Sequence, residues 1–226
     1  MEKLHILTPV KDSIETALRT IKSVMESDIQ VEFTYTVYND FSSDETTEIL
    51  EKESERLGFT LFNLKSVTMH PSPNYLLILQ IAQHGANFEN AHMLIVESDV
   101  IVQKNTIQQL YDSITTLDKA GMIAAVTTDM NGKANFPYLY AQKYKQGILN
   151  THKRLSFCCT LLTKSFLSSF NFDTLNPEKN WFEDYISTKS IELGFKNYLL
   201  TSLPVVHFDN GSRQLKILKF LQSLKH

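Results

Sequence analysis

Two carboxylates follow a short apolar segment near the middle of the chain and could bind a metal ion. Residues 94–96 (Leu-Ile-Val) have the aliphatic and β-branched side chains of a strand buried on both faces. Glu97 and Asp99 stand where that strand is expected to end. Acids at the carboxyl end of a parallel strand project into the crevice where open α/β sheets bind ligands. Since an unpaired buried charge is costly and hard oxygen donors suit Mg²⁺ and Mn²⁺, a cation carrying a diphosphate would be a suitable partner.

A second polar segment, VYNDFSSDET (37–46), places Asn39 and Asp40 between a strand and the start of a helix. Their side chains could accept hydrogen bonds from a base or a ribose, and the nearby helix start favours an anion. Asn, Asp and Ser also form Asx turns and helix caps routinely. On its own, the segment therefore favours a capped turn over a nucleotide site.

The segment NWFEDY (180–185) places two acids, Glu183 and Asp184, at the start of a predicted helix. Acids in a first turn commonly do no more than complement the helix dipole. An aspartate beside Trp181 and Phe182 could instead be a general base that takes a proton from a sugar hydroxyl. The residues leave both interpretations open.

One histidine, His207, ends a predicted strand within VVHFDNGSR (205–213). An imidazole at a strand end is more commonly a core or capping residue, but it can also bind a metal through one ring nitrogen. The remaining histidines lack the spacing of a zinc site, so no second metal site is predicted.

Strand and helix patterns alternate along the chain and must position these residues. Strands are predicted at about 4–8 (ended by Pro9), 31–38, 59–64, 93–96, 122–127, 157–163 and 198–206, and helices at about 13–27, 43–57, 74–84, 105–117 and 181–193. This alternation predicts an α/β fold with a mostly parallel central sheet flanked by helices. Residues 134–156 do not follow this alternation of strands and helices, and they are expected to form a long excursion beside the site. Residues 212–226 have the pattern of a basic amphipathic helix, which could dock on its own core or make peripheral contact with a membrane.

Composition excludes several classes of protein. The length of 226 residues suits one α/β domain. A net charge of −3 gives no excess of basic residues of the kind that nucleic-acid binding requires. No apolar run is long enough to span a bilayer. The seven glycines include no G-x-G, which removes the dinucleotide fingerprint and the P-loop. Cys158 and Cys159 are interpreted as reduced core residues, and with no signal-peptide layout a cytoplasmic location is expected.

The segments, taken in order, resemble the family 2 glycosyltransferases of GT-A fold, especially the rhamnosyltransferase-like members. ILTPVKD resembles the Pro-containing loop after the first strand, VYNDFSSDET the V-N-D-G-S-x-D-x-T segment, ESD the D-x-D motif, FNFD the G-F-D segment, WFEDYIS the E-D helix start and HFDNGS the H-x-x-G-G-S segment. The resemblance covers nearly the whole chain. It implies one GT-A domain over 1–226, with a Rossmann-like nucleotide-sugar-binding half (1–100), a smaller mixed acceptor-side half (101–211) and a terminal helix (212–226).

The resemblance also implies an activity and a set of residue roles. The activity would be inverting transfer of a hexosyl or deoxyhexosyl group from a nucleotide-diphosphate donor to a hydroxyl of a glycan or lipid-linked saccharide. Mn²⁺ or Mg²⁺ would be the cofactor. The reaction would belong to cell-surface glycan synthesis and take place at the inner face of the membrane. The roles would be nucleotide binding for Thr8, Pro9, Asp40 and Glu97, metal binding for Asp99 and His207, base catalysis for Asp184, and acceptor binding for Trp181 and Glu183.

Two alternatives stay open, and departures from the family pattern support the first of them. Phe41 and Cys158 each replace a glycine, Lys11 and Asp12 replace an aromatic–Asn pair, and Glu97 replaces the first Asp of D-x-D. One alternative is a catalytically silent GT-A-fold protein that binds a nucleotide sugar or a glycan. The other is a nucleotidyltransferase, although ILTPVKDS lacks the Gly- and Lys/Arg-rich triphosphate loop that such enzymes usually need.

Overall fold

The computed structural model describes residues 3–144, 147–178 and 182–208, and these ranges hold nine strands of one sheet and six α-helices. The strands are β1 (Lys3–Val10), β2 (Glu32–Asn39), β3 (Thr60–Asn63), β4 (His92–Val96), β5 (Val100–Ile101), β6 (Ala120–Thr128), β7 (Ile148–Asn150), β8 (Cys159–Leu162) and β9 (Lys196–His207). The α-helices are α1 (Ile14–Met25), α2 (Asp44–Leu57), α3 (Tyr75–Phe88), α4 (Thr106–Thr116), α5 (Lys164–Ser169) and α6 (Phe182–Glu192).

The sheet is mixed, with most of its described strands running in one direction. Its order is β3-β2-β1-β4-β8-β6-β9-β5, and β7 pairs with β9 outside this path. Strands β1 to β4 are mutually parallel, and β6 is parallel to β9. Strand β8 lies antiparallel between β4 and β6, while β5 and β7 are antiparallel to β9. The predicted α/β class with a mostly parallel sheet is confirmed.

The core consists of two hydrophobic clusters that share the central strands. Leu94 and Val96 belong to one cluster, whereas Met93 and Ile95 belong to the other. Because successive side chains of a strand point to opposite faces, β4 is buried on both sides, as its sequence predicts. The first cluster receives side chains from α1, α2 and α4, and the second from α3, α5 and α6. This arrangement holds the carboxyl end of β4 firmly in place.

The first strand is longer than predicted, because Pro9 does not end it. Strand β1 continues to Val10, and Pro9 is paired with Tyr38 of β2. Pairing of β1 with β4 stops at Leu7, so at Pro9 the strand has a neighbour on one side only. A proline is tolerated in such an edge-like position, because no neighbouring strand on that side needs a hydrogen bond from its backbone nitrogen.

The ends of α2 agree with the sequence signals. Ser43 precedes the helix, and its Oγ accepts a hydrogen bond from the backbone N–H of Thr46 at 3.2 Å. Gly58 follows the helix with a φ of +83°, in the left-handed region that glycine adopts at little cost. Helix α3, by contrast, reaches Phe88, four residues beyond its predicted end.

Two of the sequence predictions lie outside the described residues. Trp181 is one of them, and the amphipathic segment 212–226 is the other. None of the helices that the structure describes has the length and apolar character needed to span a bilayer.

Candidate active site

The turn between β4 and β5 carries the two acids of the ESD segment. The backbone N–H of Glu97 donates to the carbonyl of Cys158 at 2.9 Å, which continues the β4–β8 ladder by one residue. The N–H of Val100 donates to the carbonyl of Glu97 at 3.1 Å and closes the turn. Glu97 and Asp99 are both partly buried. The local fold therefore presents both acids at the carboxyl end of β4, as predicted.

Strand pairing brings His207 to the same turn. In the β5–β9 ladder His207 is paired with Val100, and Val100 directly follows Asp99 in the chain. Its Nε2 lies 3.5 Å from Oδ2 of Asp99. Its Nδ1 lies 2.8 Å from the carbonyl oxygen of Phe136, which can only accept, so we assign a hydrogen to Nδ1. A neutral imidazole in this orientation keeps the Nε2 lone pair for a cation.

The surroundings of His207 favour a positive charge at this point. Burial lowers the pKa of His207, but the hydrogen bond to Asp99 and the negative charge of that carboxylate raise it by more, so its pKa lies above the ordinary value. In addition, Oδ1 of Asp99 is buried without a hydrogen-bond partner among the described residues. A partly buried acid with a free oxygen, beside an oriented imidazole, fits a divalent cation.

Cys158 joins this group, which the sequence interpretation did not foresee. Its Sγ lies 3.5 Å from Oε2 of Glu97, and the ligand atoms of Glu97, Cys158 and His207 all lie within 4.8 Å of one another. Burial, followed by the negative charge of Glu97, raises the pKa of the Cys158 thiol well above its usual range. We call Glu97, Asp99, Cys158 and His207 the cation cluster. The replacement of the family glycine by Cys158 is the sequence signal that could have indicated it.

A cavity of about 1410 Å³ opens beside the cation cluster. Its wall contains polar and charged residues from several segments: Lys11, Asp40, His70, Asn74, Gln80, Glu97, Ser98, Arg154, Ser156, Cys158 and Glu183. Glu97 and Cys158 thus belong both to the cation cluster and to the cavity wall. The excursion 134–156 supplies Phe136 and Arg154 to the wall, which places it beside the site as expected.

Asp40 lines the cavity, but its carboxylate is already engaged. Oδ2 accepts hydrogen bonds at 2.8 Å from the Ser72 hydroxyl and from the backbone N–H of Asn74, and Oδ1 accepts one at 2.7 Å from the Asn74 side-chain amide. Asp40 is nearly fully buried by these contacts. Asp40 therefore holds the loop before α3 against the carboxyl end of β2 through these hydrogen bonds, and this loop forms part of the cavity wall.

The two predicted nucleotide-binding residues of β1 lie in different places. Pro9 is part of the cavity wall. Thr8 is fully buried, and its hydroxyl is 2.9 Å from the hydroxyl of Tyr35, so the structure does not bring its side chain to the cavity. Phe41, at the position of the family glycine, has a φ of +58°, a left-handed conformation that glycine would adopt more readily.

The E-D pair of α6 is divided between two environments. Glu183 lines the cavity. Asp184 is about half-exposed, and its Oδ2 forms an ion pair at 3.0 Å with Nη1 of Arg154, which lines the cavity. Asp184 is therefore connected to the cavity wall through Arg154, and Trp181 lies outside the described residues.

Solved structures share this fold. The chain matches the S. aureus TarS 1–349 structure with a TM-score of 0.68 and 19% identity, covering 91% of this chain and 60% of that one. It matches GalNAc-T7 with UDP, GalNAc and Mn²⁺ at a TM-score of 0.67 and 14% identity, covering 92% and 44%. It matches the mannosyltransferase PcManGT of Pyrobaculum calidifontis with GDP-Man and Mn²⁺ at 0.65 and 11%, covering 90% and 56%. The chain thus spans about half of the length of these structures, which are GT-A glycosyltransferases.

Sequence comparison gives the family. No curated protein sequence matched the chain. The sequence model of Glycosyl transferase family 2 matches residues 5–169, well over half of the chain, from within β1 to the end of α5, including the ESD turn. The match confirms the resemblance to this family, and it covers three of the six segments: ILTPVKD, VYNDFSSDET and ESD. The chain belongs to glycosyl transferase family 2.

Proposed function

We propose that this protein transfers a sugar from a nucleotide-diphosphate donor to an acceptor hydroxyl with the help of a divalent cation. The observation that carries the proposal is that the cation cluster and the cavity share Glu97 and Cys158. A donor in the cavity would therefore place its diphosphate beside the cluster. Family membership and the structures with bound UDP, UDP-GlcNAc or GDP-Man support the same class of donor.

Donor binding is assigned to the cavity wall formed by the ends of β1, β2 and β4. Pro9 and Asp40 would hold the base and ribose, Asp40 mainly through the loop that it fastens, and Glu97 would lie near the ribose. Thr8 would support this wall from behind through its contact with Tyr35. Asp99 and His207 would hold Mn²⁺ or Mg²⁺, and the cation, when bound, supplies positive charge for the departing diphosphate.

Base catalysis is assigned to Asp184, with a single displacement that inverts the anomeric configuration. The Asp184 carboxylate would accept the proton of the acceptor hydroxyl while the hydroxyl oxygen attacks the anomeric carbon. Arg154 orients that carboxylate through the 3.0 Å ion pair and must give up this contact, or share it, when the acceptor binds. Glu183 and Trp181 would contact the acceptor, and Glu183 already lines the cavity.

The setting of the reaction is proposed from the family. The transferred group would be a hexosyl or deoxyhexosyl unit, and the acceptor a glycan or a lipid-linked saccharide of the cell surface. Synthesis would take place on the cytoplasmic side, with segment 212–226 as a peripheral membrane contact. This segment lies outside the described residues.

Product analysis with a panel of donors tests the proposal. The purified chain is incubated with Mn²⁺, simple saccharide acceptors and nucleotide sugars that include UDP-GlcNAc and GDP-mannose. We expect release of nucleotide diphosphate with one donor and, by NMR of the product, an inverted anomeric centre. Retention of configuration would reject the single displacement. Donor binding without turnover would favour a silent binding protein, and release of pyrophosphate from a nucleoside triphosphate would favour a nucleotidyltransferase.

A further inference from the structure

Within the cation site of the proposed function, on which this inference rests, we infer that Cys158 is a metal ligand and that the site prefers a thiophilic divalent ion to Mg²⁺. The thiol enters the site through strand pairing. Strand β8 runs antiparallel to β4, so Cys159 pairs with Val96 and Cys158 comes opposite Glu97. This pairing aims one sulfur at the acids of the ESD turn.

The donor atoms have the separation that a small cation needs. Zinc binds thiolate sulfur at about 2.3 Å and carboxylate oxygen at about 2.1 Å, so the two donors of a tetrahedral ion are roughly 3.6 Å apart. Sγ of Cys158 and Oε2 of Glu97 are 3.5 Å apart. A ring nitrogen of His207 completes a set within 4.8 Å, and Oδ2 of Asp99 lies 3.5 Å from Nε2 of His207.

The chemistry of this donor set differs from that of an all-oxygen site. Mg²⁺ takes oxygen ligands, whereas thiolate and imidazole favour Zn²⁺ and Co²⁺ over it. Binding would replace the thiol proton of Cys158 by the ion and release that proton to solvent. If Cys158 served only to pack the core, replacing it would not change which metal ion the site prefers.

The neighbouring thiol provides a matched control. The sequence contains two cysteines, and Cys159, the first residue of β8, is as deeply buried as Cys158 just before it. No described carboxylate or imidazole forms a metal-binding group with Cys159. A thiolate–metal signal can therefore come from one of two residues, and single substitutions separate them.

Titration of the reduced full chain with Co²⁺ tests the inference without any sugar substrate. Thiolate ligation produces a sulfur-to-cobalt charge-transfer absorption in the near ultraviolet. We expect this band in the wild type and in Cys159→Ser, and its loss in Cys158→Ser and Cys158→Ala. Competition against Mg²⁺ should show that the preference for Co²⁺ falls by about tenfold or more in both Cys158 variants. Circular dichroism confirms that each variant is folded.

Other outcomes overturn the inference. If the wild type binds Co²⁺ without the band, no thiolate binds the metal. If the band persists in both Cys158 variants, or is lost in Cys159→Ser, the sulfur ligand is not Cys158 alone. Binding of UDP or GDP with Mn²⁺ is measured on the same preparation. A chain that binds nucleotide diphosphate but shows no band contradicts this inference alone, whereas a band without nucleotide binding contradicts the proposed function alone.

Discussion

At the scale of single residues, the ion pair between Arg154 and Asp184 determines how the proposed base can act. Asp184→Asn keeps the size of the side chain but removes its ability to take a proton, so turnover should fall by about 10²- to 10⁴-fold while the donor KM stays nearly unchanged. Steady-state kinetics with varied donor and acceptor measure both quantities. Glu183→Gln is the matched variant, for which a raised acceptor KM is expected. A larger loss of kcat in Glu183→Gln than in Asp184→Asn would move the base to Glu183.

Asp40 carries a second residue-scale prediction, on stability. Asp40→Asn exchanges a carboxylate that accepts three hydrogen bonds for an amide whose NH₂ cannot accept any. Hydrogen bonds to charged groups are typically worth about 1.5–3 kcal/mol, so the free energy of unfolding should fall by roughly that amount. Urea denaturation measures it. Asp28→Asn removes an exposed carboxylate and should change the value by less than about 0.5 kcal/mol. Equal effects of the two variants would contradict the assigned role of Asp40.

The positions of site residues that follow their own strands can be predicted from the sequence, while their roles stay predictions. Glu97, Asp99 and His207 were predicted because each comes at the end of an apolar segment, and the structure brings the three together. Cys158 was interpreted as a core residue, because its approach to Glu97 depends on the pairing of β8 with β4 and no local pattern encodes that pairing. Nucleotide binding by Thr8 is implied by the family resemblance, but the Thr8 hydroxyl contacts the Tyr35 hydroxyl inside the fold.

At the scale of the elements, Gly121 sets how closely β6 can approach α6. A Cβ at this position would meet the Ser190 hydroxyl and would lie 2.7 Å from Cβ of Phe195. The Ser190 hydroxyl is held in place by its 2.8 Å hydrogen bond to Asn197. Gly121→Ala should therefore lower the free energy of unfolding by about 1–3 kcal/mol, as overpacking does.

Thermal denaturation checks this prediction. A loss of that size should lower Tm by several degrees, at roughly 2–4 °C per kcal/mol for a chain of this length. Gly147→Ala is the control, because a Cβ at residue 147 would have no neighbour within 4 Å. An unchanged Tm in Gly121→Ala would show that α6 can shift away from β6 without cost.

The elements themselves were predictable where the signals were local. Helix α2 was delimited by a capping serine and a left-handed glycine, both adjacent in sequence to the helix. The direction of β8 and the pairing of β7 with β9 were not predicted, because both depend on contacts between residues far apart in the chain. Division into a nucleotide-sugar half (1–100) and an acceptor half (101–211) within one domain remains a prediction.

At the scale of the whole molecule, the cation cluster should couple ligand binding to global stability. The cluster places two carboxylates and a buried thiol close together, with His207 as the one basic group among its four members. A cation bridging the cluster and a diphosphate would relieve the repulsion between the acids. Nucleotide diphosphate and cation should therefore stabilise the fold together far more than either does alone.

The size of this coupling can be predicted and measured. At about 100 times Kd, a ligand that binds only the folded state adds roughly 2.7 kcal/mol, which corresponds to a rise in Tm of about 5–10 °C for a domain of this length. Thermal denaturation with UDP or GDP, with Mn²⁺, and with both should show the large shift only for the pair, and a chelator should abolish it. Asp99→Asn should lose the shift, whereas Asp28→Asn should keep it. Equal shifts with and without the cation would mean that the nucleotide binds without using the cation cluster.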